Sequence, residues 1–357
     1  FRFTFSCQRK AFASGFRKFP IQLGIHTKTP IIMATTTQTQ NQTAHEAWTL
    51  LNHKREGQLG TATIGLVVQG GGMRGVYSMG ALAALQEMGF HQCFDHLAGS
   101  SAGALNGAYF LTGQSSYGVE TYIHYLSKKA FVNPFRLKKI VDIDYLVDGI
   151  GKKIRPLHLE KLRTTHTTLH ISLTESSQAE THYVTNRTPN IDIWEAFRAT
   201  AALPLLYNKT VKVGDGRYVD GSLSARIPVQ RAVQQGCHYI VVILTMPHSH
   251  RIHSTHRLLQ SLTWPATRHY SAALRKAFFG EDHNYNTTKM DLAHHNPKIS
   301  GCPKVIVISP PRAPEMFSTV TTNPKHLLQG ALQAREDTWR AFGQEPPPHE
   351  PPFAISA

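Results

Sequence analysis

The sequence has few cysteines and no long hydrophobic stretch. Among its 357 residues the cysteines are Cys7, Cys93, Cys237 and Cys302, and no two of them form a C-x-x-C pair. This spacing favours neither a zinc site nor a disulfide framework, and it indicates a reducing compartment. No apolar run approaches the roughly 18 residues that a membrane-spanning helix needs. We therefore predict a cytoplasmic protein with no integral membrane span.

Acidic residues are also scarce, since 23 Asp and Glu stand against 38 Lys and Arg, and the net charge is +15. Residues 1–32 contain no acid at all and carry six basic residues: Arg2, Arg9, Lys10, Arg17, Lys18 and Lys28. This composition is typical of a mitochondrial transit segment. The alternative, which we favour, is a leader ahead of a true start at Met33.

Without these six charges the net charge is still about +9. A basic surface can hold a protein on an anionic membrane, at about 1 kcal/mol for each Lys or Arg close to it. The alternative is a dispersed charge that serves solubility. No nucleic-acid-binding motif accompanies the charge, so a nucleic-acid partner is not predicted.

The most informative motif is the pentapeptide 99–103, which has the form G-x-S-x-G with Ser101 at its centre. Between a short apolar strand and a helix of small residues, such a motif predicts a nucleophile elbow, a tight turn that exposes the serine Oγ. Gly99 and Gly103 are required there because a Cβ would clash. A glycine-rich loop with a serine N-cap produces the same pattern, so the pentapeptide alone leaves both interpretations open.

A glycine-rich loop precedes this motif. Residues 64–69 predict a buried strand, and residues 76–88 predict a buried helix that ends at Gly89. The turn between them contains Gly70, Gly71, Gly72, Arg74 and Gly75. Backbone N–H groups in such a turn converge on an anion. Beside a nucleophilic serine, that anion is the oxyanion of a tetrahedral acyl intermediate.

The same glycines also fit a dinucleotide-binding fingerprint. Gly70, Gly72 and Gly75 have the spacing G-x-G-x-x-G, and Asp95 follows at about the distance expected of a ribose-binding acid. However, Asp95 precedes the short apolar stretch 97–98, whereas the fingerprint needs an acid at the end of a strand. We therefore favour the oxyanion loop.

A third motif completes the pattern. Asp220 and Gly221 follow a short apolar strand, more than a hundred residues after Ser101. Together, the glycine-rich loop with its arginine, the G-x-S-x-G motif and the Asp-Gly pair resemble the patatin-like phospholipase family. The run Ala199-Thr200-Ala201-Ala202-Leu203-Pro204 is similar to the bacterial branch of that family. The resemblance extends from about residue 64 to residue 309.

The resemblance implies a serine esterase that degrades lipids by hydrolysing fatty-acyl ester bonds without a metal or another cofactor. Ser101 matches the nucleophile and Asp220 its partner in a Ser-Asp dyad. Gly70, Gly71, Gly72 and Arg74 match the oxyanion hole, and Gly75, Gly99, Gly103 and Gly221 match the motif glycines. Ser222 and Arg226 depart from common family patterns. The alternative is a catalytically weak or inactive relative that binds lipid.

The base that activates the serine has two candidate identities. A carboxylate is a weak base, with a reference pKa of about 3.9, so a Ser-Asp dyad depends mainly on the oxyanion hole. A Ser-His-Asp triad is the competing mechanism, and His96 lies only five residues before Ser101. The triad order in α/β-hydrolases places the histidine after the acid, which disfavours His96.

Strand and helix patterns alternate along the chain, which predicts an α/β fold with a mostly parallel sheet; the patatin-like fold is a three-layer α/β/α arrangement. Further strands are predicted at 169–173, 182–185, 217–219, 239–245 and 304–309. Further helices are predicted at 102–112, 191–200, 229–235 and 325–342.

The division of the chain follows from these motifs. We predict a leader and disordered segment with a short helix over 1–58, with residues 33–44 disordered. The catalytic domain spans 59–312, a helical segment 313–343 and a Pro-rich disordered tail 344–357.

Two segments are candidate lids. They are the helical region 257–278, predicted to break at Pro265, and the basic and aromatic segment 128–156. Core packing is the alternative for the first of them. His248, His250, His253 and His256 lack acidic or cysteine neighbours, which favours a polar loop over a metal site.

Overall fold

The computed structural model of the protein describes residues 29–58, 60, 62–136, 139–255, 257–280, 282–293, 303–311, 318–348, 351 and 353. The predicted leader lies largely outside these residues, as do Cys7, Cys302 and His256. No described helix is both long enough and apolar enough to cross a bilayer.

The described residues form one eight-stranded mixed sheet. Its strands are β1 (Ile64–Val68), β2 (His96–Ser100), β3 (Thr168–Glu175), β4 (Thr181–Thr185), β5 (Val211–Val213), β6 (Gly216–Asp220), β7 (Tyr239–Ile243) and β8 (Lys304–Ile308). The order is β5-β6-β3-β2-β1-β7-β8, and β4 pairs with β3. Strands β3, β2, β1, β7 and β8 are mutually parallel, while β4, β5 and β6 pair antiparallel. The predicted mostly parallel sheet is confirmed.

Helices connect and cover the strands. They are α1 (Thr29–Arg55), α2 (Gly75–Glu87), α3 (Ala102–Leu111), α4 (Ser115–Thr121), α5 (Leu159–Thr164), α6 (Ile193–Thr200), α7 (Val229–Gln234), α8 (Arg257–Thr267), α9 (Ala272–Phe279), α10 (His283–Ala293) and α11 (Pro324–Ala341). Two π-helices, Tyr122–Leu126 and Tyr145–Ile154, and two 3₁₀ turns, Gly72–Arg74 and Gly221–Leu223, complete the described elements.

The sheet is buried on both faces. In β1, Leu66 and Val68 pack into the core formed with α2, α3 and α11, whereas Val67 packs with α7 and α10 on the other face. A strand buried on both faces is mainly apolar at successive positions, because successive side chains point to opposite faces. The continuous apolar runs of the sequence therefore mark the central strands of a sheet between two helix layers.

Both terminal segments contribute residues to the described structure. Residues 33–44, for which the composition predicts disorder, lie within α1. No glycine or proline interrupts residues 31–55, and buried Ala47 and Leu51 anchor the C-terminal half of the helix. At the other end, Phe353 in the Pro-rich tail is buried in the main core.

The helical region after residue 256 does not break at Pro265. Helix α8 continues through Pro265, which removes one backbone donor without ending the helix. The break falls at residues 268–271, because Ser271 caps a new helix by accepting a hydrogen bond from the Leu274 N–H at 3.1 Å.

Candidate active site

Ser101 lies in a strained turn between the end of β2 and the start of α3. Its φ of 53° and ψ of −128° belong to a region that residues other than glycine rarely adopt. A Cβ on Gly99 would lie 2.6 Å from Ala104 Cα, and one on Gly103 would lie 2.3 Å from the Val68 carbonyl oxygen. The turn therefore has no room for a side chain at either glycine, as a nucleophile elbow requires.

The side chains of Ser101 and Asp220 meet across 119 residues of sequence. Ser101 Oγ donates a hydrogen bond to Asp220 Oδ2 at 2.8 Å, and the Ser222 N–H donates to Asp220 Oδ1 at 2.8 Å. Ser101 is 7% exposed and Asp220 is 2% exposed. Burial raises the pKa of Asp220, because it disfavours the charged form, although these hydrogen bonds oppose the shift. The carboxylate is therefore a stronger base than an exposed aspartate.

Strand register brings the two side chains together. Strand β3 lies between β2 and β6 in the sheet, with Ser172 opposite Ser100 and Leu173 opposite Asp220. The end of β2 and the end of β6 therefore lie at nearly the same height on β3. Ser101 comes directly after the end of β2, which places its hydroxyl beside the last residue of β6.

The glycine-rich loop reaches the same edge, because β1 and β2 are parallel neighbours and their carboxyl ends lie side by side. Gly71 has a φ of 156° and Gly72 a φ of 58°. The Met73 N–H donates to the Thr319 carbonyl oxygen at 2.9 Å, and the Arg74 N–H donates to that of Gly71 at 3.2 Å. Within the described part of the chain, the N–H groups of Gly71 and Gly72 donate to no protein acceptor. They are available to an anion.

One cavity of about 140 Å³ joins these groups. Gly71, Gly72, Ser101 and Asp220 line its polar end. The rest of its wall is mainly apolar and includes Leu126, Phe131, Val141, Leu146, Ile150, Trp194, Phe197 and Leu206. Several of these residues belong to segment 128–156, one of the two predicted lids. The cavity therefore combines polar groups at Ser101 and Asp220 with a mainly apolar wall.

Sequence patterns did not identify Thr200 as part of the site. Its Oγ1 accepts a hydrogen bond from the Ser101 N–H at 3.0 Å and donates one to the Ser172 carbonyl oxygen at 2.7 Å. Thr200 therefore holds the backbone of the serine turn, and the Ser101 N–H is not free to bind an oxyanion. The only available signal was its position in the run 199–204.

Two arginines line the cavity beside the dyad. Arg74 Nη1 donates to Thr319 Oγ1 at 2.9 Å, while its buried Nε has no hydrogen-bond partner among the described residues. Arg226 Nε donates to Asp282 Oδ2 at 3.1 Å. Burial, together with the charge of Arg226, lowers the pKa of Arg74. Two guanidinium groups therefore line the cavity, and that of Arg226 is paired with the carboxylate of Asp282.

The groups that supported competing interpretations lie elsewhere. His96 is the first residue of β2, one strand length from Ser101, and its Nδ1 lies 3.2 Å from His170 Nε2. No histidine is among the described residues that line the cavity. Asp95 accepts hydrogen bonds from Lys54 Nζ at 2.8 Å and from a β1 N–H at 2.7 Å. It therefore lies at the start of β1, away from the glycine-rich loop at the other end.

The histidines proposed as a possible metal cluster and the cysteines do not line the cavity. Within the described residues these are His248, His250, His253, Cys93 and Cys237. The described residues contain no group of three or more His, Cys, Asp or Glu side chains placed to hold a metal ion. Cys93 and Cys237 are buried free thiols, and burial raises the pKa of each to about 11. Both are neutral thiols at neutral pH.

Known proteins resemble the central part of this chain. Residues 66–233 match the family model of the patatin-like phospholipases. The chain is 30% identical over 191 residues to the uncharacterized protein YjjU of Escherichia coli (strain K12), a match that covers 52% of this chain. The chain spans about half the length of this curated relative, since the match covers 52% of it.

Two solved structures match this chain at low sequence identity. VipD from Legionella pneumophila matches with a TM-score of 0.38 and 14% identity, covering 79% of this chain and 67% of that one. The type III effector protein ExoU matches with a TM-score of 0.36 and 12% identity, covering 79% of this chain and 53% of that one.

Proposed function

We propose that this chain, whose residues 66–233 match the family model of the patatin-like phospholipases, is a serine hydrolase of fatty-acyl ester bonds in lipids. The observation that carries the proposal is the 2.8 Å hydrogen bond from Ser101 Oγ to Asp220 Oδ2 at the polar end of an otherwise mainly apolar cavity. We propose that the apolar part binds an acyl chain, with the ester carbonyl beside Ser101.

In the proposed reaction, Ser101 Oγ attacks the ester carbonyl carbon while its proton passes to Asp220. The N–H groups of Gly71 and Gly72 stabilise the resulting oxyanion. Collapse of the tetrahedral intermediate releases the alcohol, which takes the proton from Asp220, and leaves an acyl-enzyme. Asp220 then accepts a proton from the water that attacks the acyl-enzyme. It returns this proton to Ser101 Oγ as the bond between Oγ and the acyl carbon breaks and the fatty acid departs. Because the base is weak, electrostatic stabilisation of the oxyanion provides much of the rate enhancement.

A fluorophosphonate probe tests this function directly, since it bonds covalently to an activated serine. The wild-type protein is expected to react with the probe and to release fatty acid from a panel of phospholipids and neutral lipids. Folded wild-type protein that does neither would contradict the proposal and favour the lipid-binding alternative.

The oxyanion loop yields a first prediction. In Gly71→Ala, the new Cβ would lie 2.9 Å from Thr245 Oγ1, and the φ of 156° disfavours alanine, so the loop must shift. We expect kcat to fall by about 10²–10³-fold, the effect of losing one oxyanion donor. Gly236→Ala is the matched control, because Gly236 also has a positive φ but no atom within 4 Å of the added Cβ. Full turnover by a folded Gly71→Ala variant would refute the assignment of this loop.

The two arginines yield a second prediction, about the head group. We propose that the guanidinium groups of Arg74 and Arg226, which line the cavity, bind the phosphate of a phospholipid. Arg226→Gln removes one charge while keeping a hydrogen-bond donor, and a charge-assisted hydrogen bond contributes about 1.5–3 kcal/mol. We expect the KM for a phospholipid to rise about tenfold or more, with a much smaller change for an uncharged short-chain ester. An equal rise for both substrates would contradict phosphate binding by Arg226.

A further inference from the structure

Helices α8 and α9 and the turn between them expose large apolar side chains. We call residues 257–280 the α8–α9 hairpin. Within it, Leu262 is 70% exposed and Trp264 is 52% exposed. Core packing, the alternative explanation for this apolar segment, does not account for these two residues. The Arg275 guanidinium lies 4.9 Å from the centre of the Trp264 ring, so positive charge lies directly beside the apolar surface.

The charge of the hairpin has one sign. Residues 257–280 include Arg257, Arg268, Arg275 and Lys276 and contain neither Asp nor Glu. Arg268 and Lys276 are exposed. Exposed Leu and Trp side chains flanked by basic residues are typical of segments that lie in the interface of a bilayer. Basic residues near an anionic lipid surface add to the affinity, and indole rings favour the head-group region.

The hairpin is attached next to the candidate active site. Asn208 Nδ2 donates to the Ala266 carbonyl oxygen at 3.1 Å, and Tyr270 OH donates to Asn208 Oδ1 at 2.8 Å. Tyr270 and Leu274 pack with Leu223, in the turn that directly follows Asp220. The hairpin is therefore fixed beside the strand end that supplies Asp220.

We propose that the α8–α9 hairpin is a docking surface for an anionic lipid bilayer. Leu262 and Trp264 insert among the lipid head groups, and the basic side chains of the hairpin contact the lipid phosphates. If docking also delivers lipid substrate to Ser101, that role rests on the proposed function. Binding of the hairpin to the bilayer does not depend on it. Charge complementarity selects this partner, because a cationic surface without acidic residues is attracted to a negatively charged membrane.

Sedimentation with vesicles tests the proposal, using full-length Ser101→Ala protein so that lipid is not consumed. The protein is expected to bind vesicles of phosphatidylglycerol and phosphatidylcholine more strongly than vesicles of phosphatidylcholine alone, and added salt should weaken the binding. The double variant Leu262→Ser with Trp264→Ser is expected to lose at least about tenfold in affinity, since burial of large apolar side chains drives insertion.

Tyr117→Ala is the matched control. Tyr117 is also an exposed aromatic residue with a guanidinium over its ring, since Arg155 lies 5.1 Å from the ring centre, yet it lies outside the hairpin. We expect Tyr117→Ala to bind vesicles like the parent protein. An equal loss in this variant, full binding by the double variant, or no binding by the parent protein would each overturn the proposal.

A second measurement separates this proposal from the proposed function. In the background with Ser101 intact, the double variant is expected to hydrolyse a soluble short-chain ester at the parental rate and vesicle phospholipid at least about tenfold more slowly at limiting vesicle concentration. A parent protein that binds vesicles but does not hydrolyse the soluble ester would refute the hydrolase and leave the docking surface intact.

Discussion

Ser101→Ala is expected to abolish fluorophosphonate labelling and to lower kcat for ester hydrolysis by about 10⁴-fold or more, as in other serine hydrolases that lose their nucleophile. The substitution removes the atom that bonds to the acyl group, so the covalent intermediate cannot form. Relief of the strained φ of 53° is not expected, because alanine is as unfavourable there as serine. The measurements are labelling of the purified variant and its rate of fatty-acid release.

Ser100→Ala provides the control within the same pentapeptide. Ser100 is fully buried, and its Oγ has no hydrogen-bond partner in the described part of the chain. Removal of a buried hydroxyl that has no hydrogen-bond partner is nearly neutral or stabilising. We therefore expect near-parental labelling and turnover. An inactive Ser100→Ala variant beside an active Ser101→Ala variant would show that the nucleophile has been assigned to the wrong serine.

Asp220→Asn is expected to lower kcat by about 10²–10⁴-fold, the usual contribution of a general base. Asparagine preserves the shape and can still accept the Ser222 N–H, but it cannot take the proton of Ser101. In the parent protein, kcat should fall as the pH drops through the pKa of Asp220, because only the carboxylate is a base. Burial places that pKa above the ordinary aspartate value. The acidic limb should disappear from the pH profile of the variant.

The stability of the same variant separates catalysis from folding. Burial raises the pKa of Asp220 in the folded state, so the unfolded chain binds fewer protons between the ordinary and the raised pKa. Stability therefore decreases as the pH rises through this window, and the loss persists at neutral pH. Asp220→Asn removes the buried charge and is expected to unfold at the same or a higher temperature than the parent protein at pH 7.

Two outcomes would contradict this role of Asp220. The first is a loss of kcat near pH 6.5 that persists in Asp220→Asn. Because the reference pKa of histidine is about 6.5, this result would indicate a histidine base. The second is an equal loss in Asp215→Asn. Asp215 is exposed in the turn between β5 and β6, the strand that ends at Asp220. The control therefore changes a nearby carboxylate that does not line the cavity.

Local chemistry explains what could be predicted from the sequence. The turn at Ser101 and the loop at Gly70–Gly72 were identifiable because glycine is needed where a Cβ would collide with nearby backbone. The central strands were identifiable because burial on both faces requires continuous apolar runs. In contrast, the π-helix Tyr145–Ile154 and the three-residue strand β5 have no comparable local pattern, and they depend on the neighbours against which they pack.

The order of residues along the chain was therefore sufficient to predict a serine turn, a glycine-rich loop beside it, a candidate acid and the class of fold. Only the folded chain shows that His96 lies at the far end of its strand and that Asp220 is the group in contact with Ser101. Likewise, only the folded chain places Thr200 under the serine turn and Arg226 in the same cavity as Arg74. The physical reason is range: turn geometry and side-chain alternation act between neighbours in sequence, whereas hydrogen bonding, burial and charge act between groups that are close in space.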